Sequence, residues 1–209
     1  MDYRSYRNSY QGFSLGVLAT IILANVIVFI GTSINPMLVD VFGFQPSNFL
    51  RAPWTIVTAM FIHGSLWHIL GNMISLYFFG QFLIDIVGPR NFLITYFAGG
   101  LLGNIFYLFL GAPNSLAIGA SGAVFAVGGA LAILEPNQRV FVIPIPIPIP
   151  IWIAVIGGFF IMMQPGIAWE AHLGGLVFGL LMGWFLRGPH RFLPRRARSV
   201  YWRGREIQY

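Results

Sequence analysis

The chain of 209 residues has the length of one compact domain, but 57% of its residues are apolar and only 9% are charged, which excludes an ordinary water-soluble domain. Cysteine is absent, which excludes disulfides, thiolate catalysis and cysteine-ligated metal. The formal net charge is +6, and all twelve basic side chains are arginine. Long apolar runs with so few charges are typical of proteins that lie in a lipid bilayer.

Six apolar segments are predicted to cross the membrane as helices, with approximate ranges 14–34, 67–87, 91–111, 121–135, 149–163 and 171–187. The first three approach the ~20 residues needed to cross about 30 Å of hydrocarbon, and the last three are shorter. Prolines alternate with isoleucine before the fifth segment and favour extended backbone, so this helix is expected to begin near the last of them, Pro150.

Arginines in the connecting segments predict the orientation of this all-α bundle. With both termini cytoplasmic, eleven arginines lie on that side and only Arg51 lies outside. The first apolar run is too long for a signal peptide core, and no cleavage site follows it, so we expect a retained span rather than a removed leader. The predicted organisation is a cytoplasmic tail over 1–13, a six-span domain over 14–187 and a cytoplasmic tail over 188–209, without a further soluble domain.

Seven arginines lie after position 186, most of them in the predicted cytoplasmic tail. Such a basic cluster could suit nucleic acid, but it directly follows an apolar helix, so anionic lipid headgroups are the expected partner and nucleic acid is not. A solvated tail that only fixes the topology is an interpretation of equal weight.

Segment 35–66 is too long for a simple turn and is rich in aromatic residues. We expect an outer loop that lies partly in the membrane interface, with four aromatic side chains directed towards lipid: Phe42, Phe44, Phe49 and Trp54.

Polar side chains at membrane depth are costly, and they mark candidate functional sites. The first candidate is Ser121, which lies between Gly119 and Gly122 at the outer end of the fourth span, about 10 Å below the surface. The two glycines allow a sharp entry and close helix packing. Taken alone, this pattern more often indicates packing than function.

The second candidate, His172, lies at the outer end of the sixth span. It shares one helical face with Gly175, Gly179 and Gly183, and glycine at this spacing marks close contact with another helix. The expected partner is the small-residue face of the fourth span, formed by Ser121, Phe125, Gly128/Gly129 and Ala132. That packing would bring Ser121 and His172 together, although a histidine merely hydrogen-bonded in the core is the alternative.

The third candidate group leads into the second span. His68 and Asn72 share a helical face, and His63 precedes the helix. Metal binding is the competing interpretation. It is disfavoured because the sequence has no HExxH motif and no carboxylate lies within a turn of either histidine.

These groups together predict the chemistry of a serine hydrolase. Ser121 needs a base to accept its proton, and His172 can serve as that base. Attack on an amide forms an oxyanion, for which His68, the Asn72 amide and the first N–H groups of the fourth span are candidate donors.

No carboxylate completes a triad, so the prediction is a Ser–His dyad. Asp85 and Glu135 are too distant, because each lies roughly 20 Å or more along its helix from the predicted site. Glu170 points away from His172, and Asp40 has no motif to recommend it. Phe125, one turn below Ser121, is expected to stack on the imidazole.

These residues resemble the motifs of the rhomboid family of intramembrane proteases. The matching segments are His63-Gly-Ser-Leu-Trp-His68-Ile-Leu-Gly-Asn72, Gly119-Ala-Ser121-Gly122 and Ala171-His172-Leu-Gly-Gly175-Leu-Val-Phe-Gly179. The resemblance covers about residues 14–187, and the motifs follow the family's order.

The resemblance implies a serine endopeptidase that cleaves in or next to transmembrane segments of membrane proteins, without cofactor or metal. It implies that Ser121 attacks, that His172 acts as base and then acid, and that His68, Asn72 and the Ser121 N–H form the oxyanion hole. His63 resembles a loop-ordering histidine, and Phe125 matches the aromatic residue that packs on the catalytic histidine. Many members have Trp-Arg in the first outer loop, whereas Thr55 follows Trp54 here, so the anchoring of this loop is open.

We therefore expect an integral protein of a prokaryotic cell membrane whose site opens to the extracytoplasmic side. A catalytically silent rhomboid-like protein that binds membrane clients is one alternative, and the presence of both Ser121 and His172 argues against it. A small transporter is another, and it is disfavoured because no inverted repeat is visible.

Overall fold

The computed structural model describes residues 3–142, 146–187, 200–202 and 205–207, and it describes side chains within 16–142 and 146–187. Within these residues the α-helices are α1 (Tyr3–Ile34), α2 (Met37–Phe42), α3 (Thr55–Thr58), α4 (Leu66–Leu110), α5 (Ser121–Leu134), α6 (Ile151–Ile161) and α7 (Trp169–Leu186). Every apolar segment named above falls on a helix, and the prediction of a mainly helical chain is confirmed. The helix α1 begins earlier than position 14, because no proline interrupts 3–13.

Gly88 turns α4 back on itself. Its φ of 84° and ψ of 163° are not helical, and Pro89 follows it. A Cβ added to Gly80 would lie 3.1 Å from Cε2 of Phe92. In a straight helix these two residues would be about 18 Å apart, so α4 consists of two arms, 66–87 and 89–110, packed side by side. The arms correspond to the second and third predicted segments.

The helices form an integral membrane protein. Within the described residues, three helical stretches are long and apolar enough to cross a membrane, namely Gly16–Ile34, Leu66–Leu110 and Trp169–Leu186, and α5 and α6 are shorter apolar helices. Large apolar side chains are exposed on α1 and on α4, among them Ile27 and Phe78. A lipid-facing surface accounts for this exposure, because hydrocarbon removes the cost that water would impose.

Small residues hold α5 between α7 and the second arm of α4. A Cβ on Gly99 would overlap Ala126 of α5, and one on Gly103 would lie 2.5 Å from the carbonyl oxygen of Ala171 on α7. Because such contacts place backbone against backbone, any larger side chain would force these helices apart.

The α7 glycines pack on α5 as predicted, and their closest contacts fall beside the predicted face. Cβ atoms on Gly175, Gly179 and Gly183 would meet the carbonyl oxygens of Gly122, Ala126 and Ala130. The predicted face of Ser121, Phe125, Gly128/Gly129 and Ala132 is confirmed in part. A Cβ on Gly129 would lie 2.9 Å from the carbonyl oxygen of Leu176 on α7, whereas one on Gly128 would lie 3.0 Å from Val155 of α6. The closest contacts lie one residue further along α5, and sequence spacing alone does not select them because α5 carries small residues on most of its sides.

The outer loop 35–66 packs against the segment that leads into α5. It contains α2, α3 and two 3-10 turns, Pro46–Asn48 and Ala59–Phe61. Phe44 and Ala117 exchange two backbone hydrogen bonds of 3.0 and 2.8 Å. The Phe44 ring is fully buried, 6.0 Å from that of Phe49 and 6.2 Å from that of Tyr107. The prediction that Phe44 faces lipid is therefore wrong, because a protein pocket covers this ring.

The other aromatic residues of this loop differ among themselves. Phe49 is half-buried in the same cluster as Phe44, which contradicts its predicted orientation towards lipid. The side chains of Phe42 and Trp54 are exposed, as an interfacial position requires.

A short antiparallel pair of strands, β1 (Arg139–Val140) and β2 (Ile149–Pro150), precedes α6. The N–H of Ile151 donates to the carbonyl of Gln138, so α6 begins directly after Pro150, as predicted. Pro144 of the alternating run lies outside the described residues. The predicted tail over 188–209 also lies outside them, apart from the paired strands β3 (Val200–Trp202) and β4 (Arg205–Ile207).

Candidate active site

Ser121 is the first residue of α5. Gly119, two residues earlier, has a φ of 121°, a conformation that favours glycine and produces the sharp entry into the helix. The helix's first backbone hydrogen bond runs from Val124 N–H to the carbonyl of Ala120. The N–H groups of residues 121–123 therefore have no partner within the helix, and they form the positive end of its dipole beside the Ser121 hydroxyl.

His172 and Ser121 form a hydrogen bond across two helices. The Nε2 atom of His172 lies 2.8 Å from Oγ of Ser121. The imidazole is buried, and it lies in the first turn of α7, one turn before Gly175. The close approach of Gly175 to the carbonyl of Gly122 fixes the spacing of the two helices at this level. The sequence-predicted contact between serine and histidine is therefore present.

The second ring nitrogen of His172, Nδ1, is buried. Within the described residues, this atom has no hydrogen-bond partner. Asp85, one of the acidic residues considered above, accepts a hydrogen bond of 2.9 Å from Gln81 instead. The Phe125 ring packs on the imidazole, with ring centroids 4.8 Å apart and planes tilted by 34°. An apolar contact therefore covers one face of the imidazole.

His68 places a nitrogen next to Gly119, two residues before the nucleophile. Its Nδ1 atom accepts a hydrogen bond of 3.4 Å from the N–H of Gly64. A backbone N–H can only donate, so the proton of the neutral ring is on Nε2. A Cβ built on Gly119 would lie 2.7 Å from this Nε2 atom and 3.5 Å from Oγ of Ser121. The absence of a side chain at Gly119 thus leaves a space bounded by a donor and by the hydroxyl.

Asn72 lies one turn after His68, and its side chain bonds to its own helix. The Nδ2 atom donates to the carbonyl of His68 over 2.9 Å. Within the described residues, no hydrogen bond joins this amide to Ser121. The amide carries a second hydrogen, which leaves one donor available for another acceptor.

His63 packs against His68 from the preceding loop. Its Nδ1 atom lies 3.3 Å from the carbonyl oxygen of Phe61 and donates to it, and the two imidazole centroids are 4.9 Å apart. The pKa of His63 is lowered to about 4, mainly by burial and to a smaller extent by the nearby His68. His63 is therefore neutral at physiological pH. Across the described residues, no group of three or more histidine, aspartate or glutamate side chains suitable for a metal ion is found.

A small pocket opens beside Ser121. Its walls include Met60, Gly100, Asn104, Ala117, Gly122 and Ala171. It has room for about one water molecule. A pocket of this size next to a nucleophile accepts only a small chemical group.

Two residues that the sequence analysis did not consider contribute to the site. The Asn104 Nδ2 atom donates to the carbonyl of Ile56 over 2.7 Å and joins the outer loop to α4, which makes it one of the bonds that anchor this loop. The hydroxyl of Ser65 accepts from the N–H of His68 and caps α4. Both signals are present in the sequence, as an isolated asparagine in an apolar span and as a serine before a helical pattern.

Comparisons with known proteins all identify the same family. The family model described as "Rhomboid domain" matches residues 50–189. Over 160 residues the chain is 30% identical to "Rhomboid protein 1, mitochondrial" of Saccharomyces cerevisiae, covering 66% of this chain and 43% of that protein. Over 199 residues it is 31% identical to "RHOMBOID-like protein 12, mitochondrial" of Arabidopsis thaliana, covering 82% and 59%. It is also 25% identical over 158 residues to "Rhomboid-like protease 3" of Toxoplasma gondii, covering 71% and 57%.

The chain spans about half the length of these curated relatives. Two of their names refer to mitochondria, which conflicts with the expectation of a prokaryotic cell membrane. The chain is an integral membrane protein, and the relatives do not support a prokaryotic origin.

Proposed function

The chain belongs to the rhomboid family, and we propose that it is an intramembrane serine endopeptidase that hydrolyses peptide bonds in or next to transmembrane segments of membrane proteins. The observation that carries the proposal is the 2.8 Å contact between Ser121 Oγ and His172 Nε2. A hydroxyl within hydrogen-bonding distance of a neutral imidazole is the arrangement that nucleophilic catalysis requires.

In the proposed mechanism, Ser121 Oγ attacks the carbonyl carbon of the scissile peptide bond while its proton passes to His172 Nε2. The tetrahedral intermediate collapses when the C–N bond breaks and the leaving amine takes that proton, which leaves an acyl-enzyme. Water then attacks the ester, with His172 again accepting and returning a proton. Hydrolysis releases the carboxylic acid and restores the Ser121 hydroxyl.

The developing oxyanion needs fixed donors in a site of low dielectric constant. We assign this role to the Ser121 N–H, to the Nε2–H of His68 and to the free hydrogen of the Asn72 amide. The Nε2 atom of His68 already borders the space beside Gly119, and the Asn72 amide keeps its bond to the carbonyl of His68 through its other hydrogen. His63 supports His68 through ring packing and through its bond to the Phe61 carbonyl.

The histidine works in this proposal without a carboxylate. Phe125 takes over the orienting role, because its ring restricts rotation of the imidazole and keeps Nε2 directed at Ser121. The Nδ1 atom then carries the proton of the neutral tautomer, which leaves the Nε2 lone pair available as the base.

Six spans with both termini in the cytoplasm would put this site near the extracytoplasmic face. The arginine distribution supports this topology, because only Arg51 lies in a predicted outer segment. Single cysteines introduced into the naturally cysteine-free chain can test it. A cysteine at Asn114 should react with an impermeant maleimide added outside, and one at Gln138 should react only after the membrane is permeabilised.

The proposed partners are transmembrane protein substrates and, for the arginine-rich tail, anionic lipid headgroups. The mechanism uses the protein's own side chains and requires no metal, cofactor or nucleic acid.

A fluorophosphonate probe tests the proposal, because it reacts only with an activated serine. The detergent-solubilised protein should be labelled, Ser121→Ala and His172→Ala should each abolish labelling, and Ser115→Ala should serve as the control serine that retains it. Labelling that persists in Ser121→Ala would end the assignment.

A further inference from the structure

Asn104 is a buried polar residue that the proposed mechanism does not use. It lies on the second arm of α4, about 9 Å along the helix from its outer end, and its side chain is 7% exposed. Its Nδ2 atom donates to the carbonyl of Ile56 over 2.7 Å. A carbonyl can only accept, so the amide nitrogen faces Ile56 and the amide oxygen faces away from it.

Asn104 lines the same pocket as Ser121 and Gly122. Among the described residues, its Oδ1 atom has no hydrogen-bond partner and is not among the buried polar atoms that lack one. Because the amide nitrogen is bound to Ile56, we infer that Oδ1 faces this pocket. The pocket thus presents a hydrogen-bond acceptor next to the nucleophile.

The walls of this pocket limit what it can accept. Its lining includes Gly100, Ala117, Ala168 and Ala171, and it has room for about one water molecule. A Cβ on Gly100 would lie 3.1 Å from that of Ala123 and would overlap the Met60 side chain, so the wall is already closely packed. A methyl or hydroxymethyl group fits this space, and a longer side chain does not.

We propose, on the basis of the proposed function, that Asn104 is a specificity-determining residue that selects serine at the substrate position whose carbonyl Ser121 attacks. The serine hydroxyl donates to Asn104 Oδ1. An alanine of nearly the same size displaces water from the pocket but leaves this acceptor without a donor. Serine is therefore preferred over alanine, with a ratio of kcat/KM on the order of tenfold.

The test compares two transmembrane substrates that differ only in serine or alanine at this position, cleaved by protein in lipid nanodiscs. The wild type should favour serine about tenfold. Asn104→Leu, of similar volume but without an acceptor, should bring the ratio close to one. Asn104→Asp should keep the preference, because it retains an acceptor oxygen although the amide donor to Ile56 is replaced by a carboxyl oxygen.

Asn104→Leu also removes a bond to the outer loop, and Thr58→Val is the control for the effect of loosening that loop. It removes the 2.8 Å bond from Thr58 Oγ1 to the carbonyl of Phe42 without changing the pocket, so the ratio should stay at the wild-type value. A wild-type ratio near one, or a ratio that Asn104→Leu leaves unchanged, overturns the inference. Because fluorophosphonate labelling of Ser121 is measured on the same samples, absence of labelling in the wild type would identify failure of the proposed function instead.

Discussion

Gly119 lies so close to His68 that a single methyl group on its Cα would come within 2.7 Å of the His68 Nε2 atom. The same methyl group would occupy the space that we propose for the oxyanion. We therefore expect Gly119→Ala to reduce kcat by about 10²-fold or more, as for loss of an oxyanion donor. Turnover of a transmembrane substrate and thermal unfolding should both be measured.

Gly166→Ala is the matched control for Gly119→Ala. Gly166 also has a positive φ, 84°, but a Cβ there would meet nothing within 4 Å. Both variants strain the backbone, but only Gly119→Ala fills the site. The turnover of Gly166→Ala should therefore stay within roughly a few-fold of the wild-type value. Equal losses of turnover in the two variants would show that strain, and not occupation of the site, is responsible.

Asn72→Ala should lower kcat about 10²-fold with little change in KM, because an oxyanion donor acts mainly in the transition state. Asn91→Ala provides the control. Asn91 donates to the carbonyl of Val87 over 2.9 Å, which repeats the Asn72 bond to its own helix at a distance from the site. If both variants retain full turnover, Asn72 has only a structural role.

Gly175→Ala should destabilise the protein by about 3 kcal/mol, because the new Cβ overlaps the carbonyl of Gly122 and neither helix backbone can yield locally. It should also reduce fluorophosphonate labelling, since it separates Ser121 from His172. In contrast, a Cβ on Gly157 of α6 meets nothing within 4 Å, so Gly157→Ala should be neutral or stabilising by up to about 1 kcal/mol. Thermal unfolding of Gly175→Ala and Gly157→Ala in the same detergent tests this difference in stability. Equal unfolding midpoints would refute the packing argument.

Stability should decrease in acid partly through His63. The folded protein holds the pKa of His63 at about 4, below the 6.5 of an exposed histidine, so the unfolded chain binds this proton first. The contribution of His63 is complete above pH 6.5 and is lost as the pH falls from there towards 4, by at most about 3 kcal/mol. Unfolding midpoints between pH 7.5 and 4 should show a shallower decline for His63→Gln than for the wild type. Parallel curves would contradict this assignment.

The contact between Ser121 and His172 could be predicted because glycine recurs on one face of α7, and that spacing marks close contact with another helix. The residues of α5 that make the closest contacts could be predicted only in part. Small residues lie on most sides of α5, so Gly122, Ala126 and Ala130 are not distinguished from their neighbours by size or spacing. Only the packed backbone identifies them.

The outer loop shows a different limit. Phe44 and Phe49 have the composition of interfacial anchors, but their environment depends on a backbone pairing with Ala117, more than seventy positions along the chain. Such long-range pairing leaves no local pattern in the sequence. Asn104, by comparison, was recognisable as a polar residue at membrane depth, and only its partner Ile56 required the fold.

The paired backbones of Phe44 and Ala117 join two stretches of chain into one unit. Gly119 adds a further link, because its N–H donates to the carbonyl of Ala59 over 2.9 Å. Chimeras that take 35–66 from a homologue should therefore take 111–120 from the same parent, since a mismatched seam would displace the approach to the nucleophile even when every catalytic side chain is retained.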